Sequence, residues 1–540
     1  MAGKQAKGKS QRVILLEVTA EPIQIGRMSA RNEELQAEPS VDDACETPSL
    51  ASETPEAAAK PASHDTTPPP ALIDFMLKGW KPASIKAPPV VRGAKNFLAR
   101  RRALSALFPG DALVIPTGQE KVRANDTHYR FRPGSDFYYL TGNLEPACVL
   151  VMLPEEGGGH HDILFVEPNP GRTDATFYTD RVKGELWVGP RLGVEKSRLR
   201  FGMHECRGLP ELNALAEMLR DKRPYRLLRC FDAGLDGSLP EKGDRDKKLA
   251  EVLSELRLIK DDLEVKELLS AIHSTKRGFE DVIEALRRAH NEREVEGIFN
   301  LRARVEGNDV GYNTIAASGA NACILHWTKN DSELKKGTLL LLDAGVEGNS
   351  LYTADITRTL PVSGKFSREQ REIYELVLEA QRQAFLAVKP GNDFLQPNRV
   401  AMEVLAHGLE RLGILPTSAE EALKEQHQFY KRYSLHNVSH MLGIDVHDCA
   451  KARMEAYKYG KLREGMVLTV EPGLYFQLDD QTVPQKYRGI GVRIEDDVVV
   501  TKKGCRILSS DIPRETKDVE AWISSVWAKH GKKAGKKARS

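Results

Sequence analysis

Short apolar runs alternate with amphipathic stretches along most of this chain, and the texture changes near residue 259. Between 112 and 166, three apolar runs at 112–115, 148–153 and 162–166 are bounded by turn residues and predict strands. A basic helix is expected at 94–107, closed by Pro109-Gly110, and residues 71–80 fit a short amphipathic helix. Helical periodicity returns at 209–219 and 246–258. This alternation predicts an α/β domain over 74–258. The next region opens with helices at 264–273, 279–289 and 292–305, the last with the mixed charges of a solvated face. Leu339-Leu-Leu-Leu342 then reads as a buried strand. It breaks at Asp343-Ala-Gly345, turns through Glu347-Gly-Asn-Ser350 and returns as a second strand carrying Asp355. Helices at 366–388 and 397–412, a strand-rich stretch at 435–508 and a closing helix at 519–527 complete the pattern.

The two ends differ from this body. Residues 1–73 are rich in Ala, Glu, Pro, Ser and Thr and poor in aromatics, so they predict a disordered segment that buries too little apolar surface to offset its ordering entropy. Residues 525–540 read as a basic flexible tail, a solvated terminus rather than a nucleic-acid arm. Residues 259–524 make a second domain. A net charge of +2 gives no general drive towards nucleic acid or acidic membranes. Seven cysteines are scattered without a CxxC pair, which excludes a zinc ribbon or thioredoxin-type motif and suits a reducing compartment. No apolar run approaches a transmembrane helix, and the run at 13–16 is cut by Glu17, too early for a signal-peptide core. A cytoplasmic, enzyme-sized protein is expected.

Several carboxylates and histidines sit where the pattern is most apolar. Asp343 and Asp355 end adjoining strands, and a buried carboxylate needs a partner because desolvating it is costly. Taken alone, the stretch also fits a hairpin whose aspartates cap turns and face water. Residues 434–447 carry His436, His440 and His447 in a mostly apolar frame; Asn437 stands where a zinc-protease HExxH would need Glu. Glu471 ends the apolar strand 467–470, just before Pro472-Gly473. In 487–501, alternation puts Val492 and Ile494 on one face and Arg493 and Glu495 on the other, which alone also fits an exposed ion pair. Together, Asp343, Asp355, Glu471 and Glu495 supply four negative charges and His440 a neutral nitrogen. That set matches two divalent cations and suits Mn²⁺, Co²⁺ or Zn²⁺ rather than a thiolate site. Two such ions, typically about 3.5–4 Å apart, activate a bridging water and polarise a carbonyl.

The ordered Asp, Asp, His, Glu, Glu pattern resembles the pita-bread metallopeptidase family that includes aminopeptidase P, prolidase and methionine aminopeptidase. The resemblance is closest to aminopeptidase P and spans about 91–523. It extends to the aromatic segment 131–142 around Asp136, which alone reads as a core-facing loop and which methionine aminopeptidases lack. The implied fold is α+β: a pita-bread catalytic domain, a curved sheet with helices, preceded by a smaller α/β N-terminal domain. The implied activity is Xaa-Pro aminopeptidase, with prolidase as the alternative and a metal-free pita-bread binding module as a second. The resemblance implies that Asp343, Asp355, His440, Glu471 and Glu495 hold two metal ions, most readily Mn²⁺, and that Glu471 is also the general base on a bridging hydroxide. It implies proton transfer and oxyanion stabilisation by His447, substrate contacts by His326 and His436, orientation of His447 or substrate by Arg493, and support from Tyr475. Asp136 and Trp187 are expected at the mouth of the site, the former from a neighbouring subunit in an oligomer. Peptides with proline second are the implied partners, with no nucleic acid or membrane, in a homodimer or homotetramer. Two departures stand out. The Asp343–Asp355 spacing is one residue longer than in many relatives, which predicts a longer hairpin, and Asn437 replaces a usual glycine.

Overall fold

The computed structural model describes residues 67–81 and 86–537. Most of the predicted N-terminal segment and the last residues of the predicted tail lie outside them. After a short helix, Pro70–Met76, the first domain begins with α1 (Ala94–Leu107). Strands β1 (Ala112–Pro116), β2 (Val149–Pro154), β3 (His160–Val166), β4 (Glu205–Gly208) and β5 (Tyr225–Leu227) form a mixed sheet in the order β4-β3-β2-β1-β5. Only the outer pairs β3–β4 and β1–β5 are parallel. Helix α2 (Ser135–Thr141) occupies the aromatic segment expected to be a loop, with Phe137, Tyr138, Tyr139 and Leu140 all buried. Two helices, α3 (Leu212–Lys222) and α4 (Asp244–Arg257), complete the domain, α3 following a 3₁₀ turn over Leu209–Glu211.

One long helix, α5 (Asp262–Ala285), replaces the two helices expected at 264–273 and 279–289. Its start is fixed by a capping box, with Asp261 accepting from the backbone of Leu263 and Glu264. Gly278, inside α5, lies where it crosses α6 (Glu292–Glu306), and a Cβ there would come within 2.7 Å of Phe299. The glycine serves close helix packing rather than a turn.

The second region is built from antiparallel ladders backed by helices. Strands β6 (Ile315–Ser318), β7 (Leu339–Ala344) and β9 (Ile356–Pro361) form a sheet with β7 in the centre, and β8 (Val346–Glu347) pairs with Asp309–Val310. Helices α7 (Arg368–Ala387) and α8 (Gln396–Arg411) pack together. A second sheet has the order β10 (Val467–Val470), β13 (Asp496–Val500), β14 (Cys505–Ile507), and β11 (Gly473–Tyr475) pairs with β12 (Gly491–Arg493). The closing helix α9 runs from Thr516 to Lys537, longer at both ends than its periodicity suggested.

Strand alternation sorts the side chains of β7. Leu340 and Leu342 join the main core, whereas Leu341 packs on the other face with Ile315, Ala317 and Tyr475. Burial of such a leucine contributes about 1.5–3 kcal/mol. Asp343 shares the face of Leu341, so the strand delivers a carboxylate to a wall that is otherwise apolar. The hairpin beyond it turns through Leu351 in the left-handed region at φ 62°, with the leucine side chain buried. Asp355 directly precedes β9 rather than lying within it.

Candidate active site

The four candidate carboxylates lie at or beside strand ends, and His440 lies on an irregular segment. Asp343 lies in β7 opposite Thr357, and Thr357 and Asp355 share a face of the β9 segment. Thr357 Oγ1 donates to Glu495 at 2.6 Å, and the Glu495 amide donates to the Thr357 carbonyl at 3.1 Å, which ties the two sheets together at the ligands. The amides of Thr469 and Glu471 donate to the carbonyls of His440 and Val438, so the histidine segment runs alongside the strand that ends in Glu471. Asp355, His440 and Glu495 thus present ligand atoms within 4.8 Å of one another. Glu471 joins them, 3.5 Å from His440 Nε2.

Tyr312 binds the two aspartates, and nothing in the sequence pattern marked it. Its hydroxyl is 2.7 Å from Asp343 Oδ1 and 2.5 Å from Asp355 Oδ1. One phenolic proton serves only one of these carboxylates at a time, so the other needs a further proton or a cation. Arg493 meets part of this demand, with a guanidinium nitrogen 2.5 Å from Asp343 Oδ2. Its other side-chain hydrogen bonds go to the Tyr475 hydroxyl at 2.9 Å, Thr357 Oγ1 at 3.2 Å and the Leu325 carbonyl at 3.5 Å.

The electrostatics follow from burial. Desolvation, with the charges of Asp355, Glu471 and Asp343 adding, pushes the Glu495 carboxyl well above the usual range. Burial also raises Asp355, and it raises Glu471 to about 7, where Asp355 adds and His440 opposes. For His440, burial disfavours the charged ring, but Asp355 and Glu471 outweigh it and lift the imidazole to about 9. Carboxylates crowded in this way are stable as anions only with cations among them. His440 Nδ1 is 3.1 Å from the Met441 carbonyl, which can only accept, so Nδ1 carries a proton and Nε2 is directed at Asp355 and Glu471 as a ligand nitrogen. Four carboxylates and one imidazole, with Arg493 and a protonated His440 too few to balance them, fit divalent metal ions.

The other candidate residues surround this cluster unequally. His436 is held between the Asn437 carbonyl (Nδ1, 2.9 Å) and the Tyr475 hydroxyl (Nε2, 2.7 Å), and burial lowers it to about 4, so it is neutral. His447 packs edge-on to His440 with ring centroids 4.4 Å apart, and burial together with His440 lowers its pKa. His326 is exposed on a loop that Glu292 fixes. That buried carboxylate accepts from the amides of Ser318 and Ser332, from Asn321 and from Trp327 Nε1, all at 2.7–2.9 Å. Within this chain Asp136 lies apart from the cluster, buried with one carboxylate oxygen 3.5 Å from Arg257 Nε. Trp187 is exposed in the first domain; its Nε1 donates to the Tyr178 carbonyl and Arg181 stacks on its ring.

Behind the ligands, Arg358 and Gln381 brace the strands. Fully buried Arg358 donates to Asp496 at 2.8 Å and to the Glu495 carbonyl at 2.6 Å. Gln381 donates to the carbonyls of Val470 and Ile494, the residues preceding Glu471 and Glu495. Sequence reasoning missed both, along with Glu292, because their partners are distant in the chain.

Fold and donor set define a metallohydrolase. Residues 266–502 match the model of metallopeptidase family M24, and residues 97–227 match that of the aminopeptidase P N-terminal domain. The chain is 47% identical over 460 residues to Xaa-Pro aminopeptidase 1 of Streptomyces coelicolor, covering 84% of this chain and 92% of that protein. It is 34% identical over 455 residues to the Xaa-Pro aminopeptidase of Escherichia coli K12, covering 79% and 97%. Its structure is similar to that of aminopeptidase P from E. coli with the inhibitor Pro-Leu, with a TM-score of 0.72 at 32% identity over 81% of this chain and 99% of that one. The chain belongs to the aminopeptidase P family of M24 metallopeptidases, as the ordered ligand motifs led us to expect.

Proposed function

We propose that this protein is a metal-dependent Xaa-Pro aminopeptidase, hydrolysing the bond between an N-terminal residue and a following proline. The observation that carries the reading is the convergence of Asp343, Asp355, His440, Glu471 and Glu495, buried and short of positive charge, beside a neutral His436. These five residues would hold two divalent ions, most readily Mn²⁺, which supply an activated water and polarise the scissile carbonyl. Glu471 accepts the proton of the attacking water and returns it to the leaving proline nitrogen. His447 donates a hydrogen bond to the oxyanion that develops on the carbonyl. His436 and His326 line the proline side; burial keeps His436 neutral, and the Tyr475 hydroxyl, itself held by Arg493, orients it.

The chemistry suits the substrate. An Xaa-Pro bond is a tertiary amide without an N–H, so a site that requires that donor reads it poorly. A histidine-lined pocket that polarises the carbonyl has no such requirement. We place the domain boundary near residue 258, expect a homo-oligomer in which Asp136 and Trp187 serve a neighbouring site, and expect a cytoplasmic location; among the described residues no helix is long and apolar enough to cross a membrane. Prolidase activity is the second reading, since the metal ligands are shared and differences lie in closure of the far end. Matched peptides Xaa-Pro-Yaa and Xaa-Ala-Yaa test specificity. Release of the N-terminal residue from the proline peptide alone is expected; equal cleavage of both would overturn the proline reading.

A further inference from the structure

The segment carrying His447 is held from outside the catalytic domain. Asp445, two residues before it, accepts a hydrogen bond from Ser135 Oγ at 2.6 Å and from Arg132 at 3.2 Å. Arg132 also donates to the Ile444 carbonyl at 2.8 Å. Asp448, the residue after His447, is buried and accepts from Lys260 Nζ at 2.9 Å, with Arg257 3.5 Å from its other oxygen. Both flanks of His447 are therefore anchored, and Ser135 and Arg132 come from the turn and helix α2 of the N-terminal domain. The same Arg132 guanidinium donates through Nε to Glu347 at 2.6 Å, in β8 of the hairpin between Asp343 and Asp355. One planar, rigid fork thus sets the His447 segment against the metal-ligand hairpin. The His447 ring packs edge-on to His440, and its aim is set by the backbone that carries it.

We infer that Ser135 and Arg132 are positioning residues: through Asp445 and the Ile444 carbonyl, the N-terminal domain aims His447 at the reacting carbonyl. This rests on the reading of His447 as the group that stabilises the oxyanion. It gives the N-terminal domain a part in turnover within a single chain. A group held on a loop loses rate steeply when its aim slips by a fraction of an ångström. The loss then falls on kcat, because the oxyanion contact exists only in the transition state.

The test is a double-mutant cycle on the full-length, Mn²⁺-loaded protein with an Xaa-Pro-Yaa peptide. Ser135→Ala is expected to lower kcat about tenfold with KM within about twofold and metal content unchanged, and Ser135→Thr, which keeps the hydroxyl, to restore most of the loss. In a His447→Ala background, Ser135→Ala should cause no further loss, because the two act through one group. Wild-type kcat in Ser135→Ala, or the same factor lost in both backgrounds, would overturn the inference. Full activity of His447→Ala alone would overturn the role of His447 itself, and with it this inference, and would show in the single variant.

Discussion

Removing one carboxylate should stabilise the metal-free protein while destroying the site. Glu495→Gln is nearly isosteric, and its amide oxygen can still accept the hydrogen bond from Thr357. What it removes is one of the charges crowded among Asp355, Asp343 and Glu471. Asp355 and Glu495 present oxygens within 4.8 Å of each other, so at an effective dielectric of about 20 their repulsion is about 3.5 kcal/mol. Proton uptake relieves part of this in the metal-free protein, which leaves a gain of about 2–3 kcal/mol for the variant at pH 8. In a domain of this size that is roughly a 4–12 °C rise in Tm. Metal reverses the order. Ions present at a thousand times their Kd stabilise the wild type by about 4 kcal/mol, and the variant, missing a ligand, gains far less. The assay is scanning calorimetry of both proteins at pH 8, with chelator and with Mn²⁺. A Glu495→Gln protein that is no more stable than wild type in chelator would refute the reasoning, because the carboxylates would not be in mutual repulsion and would not call for cations.

Other consequences follow from single contacts. Tyr312→Phe removes the hydroxyl that joins Asp343 and Asp355, and metal affinity should fall about 10–100-fold by isothermal titration; unchanged affinity would exclude that role. Arg358→Met strips Asp496 of its buried charge partner and should lower unfolding stability by about 3–5 kcal/mol in a denaturant titration. Glu306 is held down at about 2, chiefly by its hydrogen bonds with Arg277 and also by Ser274 and Arg302. Its folded pKa lies below the unfolded value of about 4.3, so its contribution, roughly 1 kcal/mol after solvent screening, is full above that value and is lost as the pH falls towards 2. Glu306→Gln should remove that part of the acid dependence and leave the stability difference visible at pH 7.

The candidate metal ligands stood out in the sequence because the carboxylates among them interrupt or end apolar runs. Asp343 follows four leucines, Glu471 ends 467–470, and Glu495 alternates with Val492 and Ile494. A charge at the end of a buried strand has few structural explanations, and five in order have fewer. Strand and helix positions were legible for the same reason, α1 to the residue. Tyr312 was not, because its role depends on two carboxylates 31 and 43 residues away, and a tyrosine near a strand is ordinary. Glu292 starts a charged helix as expected, but its second role as the buried anchor of the His326 loop was not visible in the sequence. Helix α5 was read as two helices, and the role of Gly278 within it depends on Phe299 of α6, which meets it only in the folded chain. The aromatic segment at 131–142 carried too few residues to show a helical period, and its helix is fixed by burial of its rings.

Hydrolysis by metal-stripped protein, with and without added Mn²⁺, of an Xaa-Pro dipeptide and a longer Xaa-Pro-Yaa peptide is the most direct test of the central claim. The account predicts Mn²⁺-dependent release of the N-terminal residue from the longer peptide. Cleavage confined to the dipeptide would make the protein a prolidase, and no cleavage of either peptide with metal bound would contradict the proline-specific account.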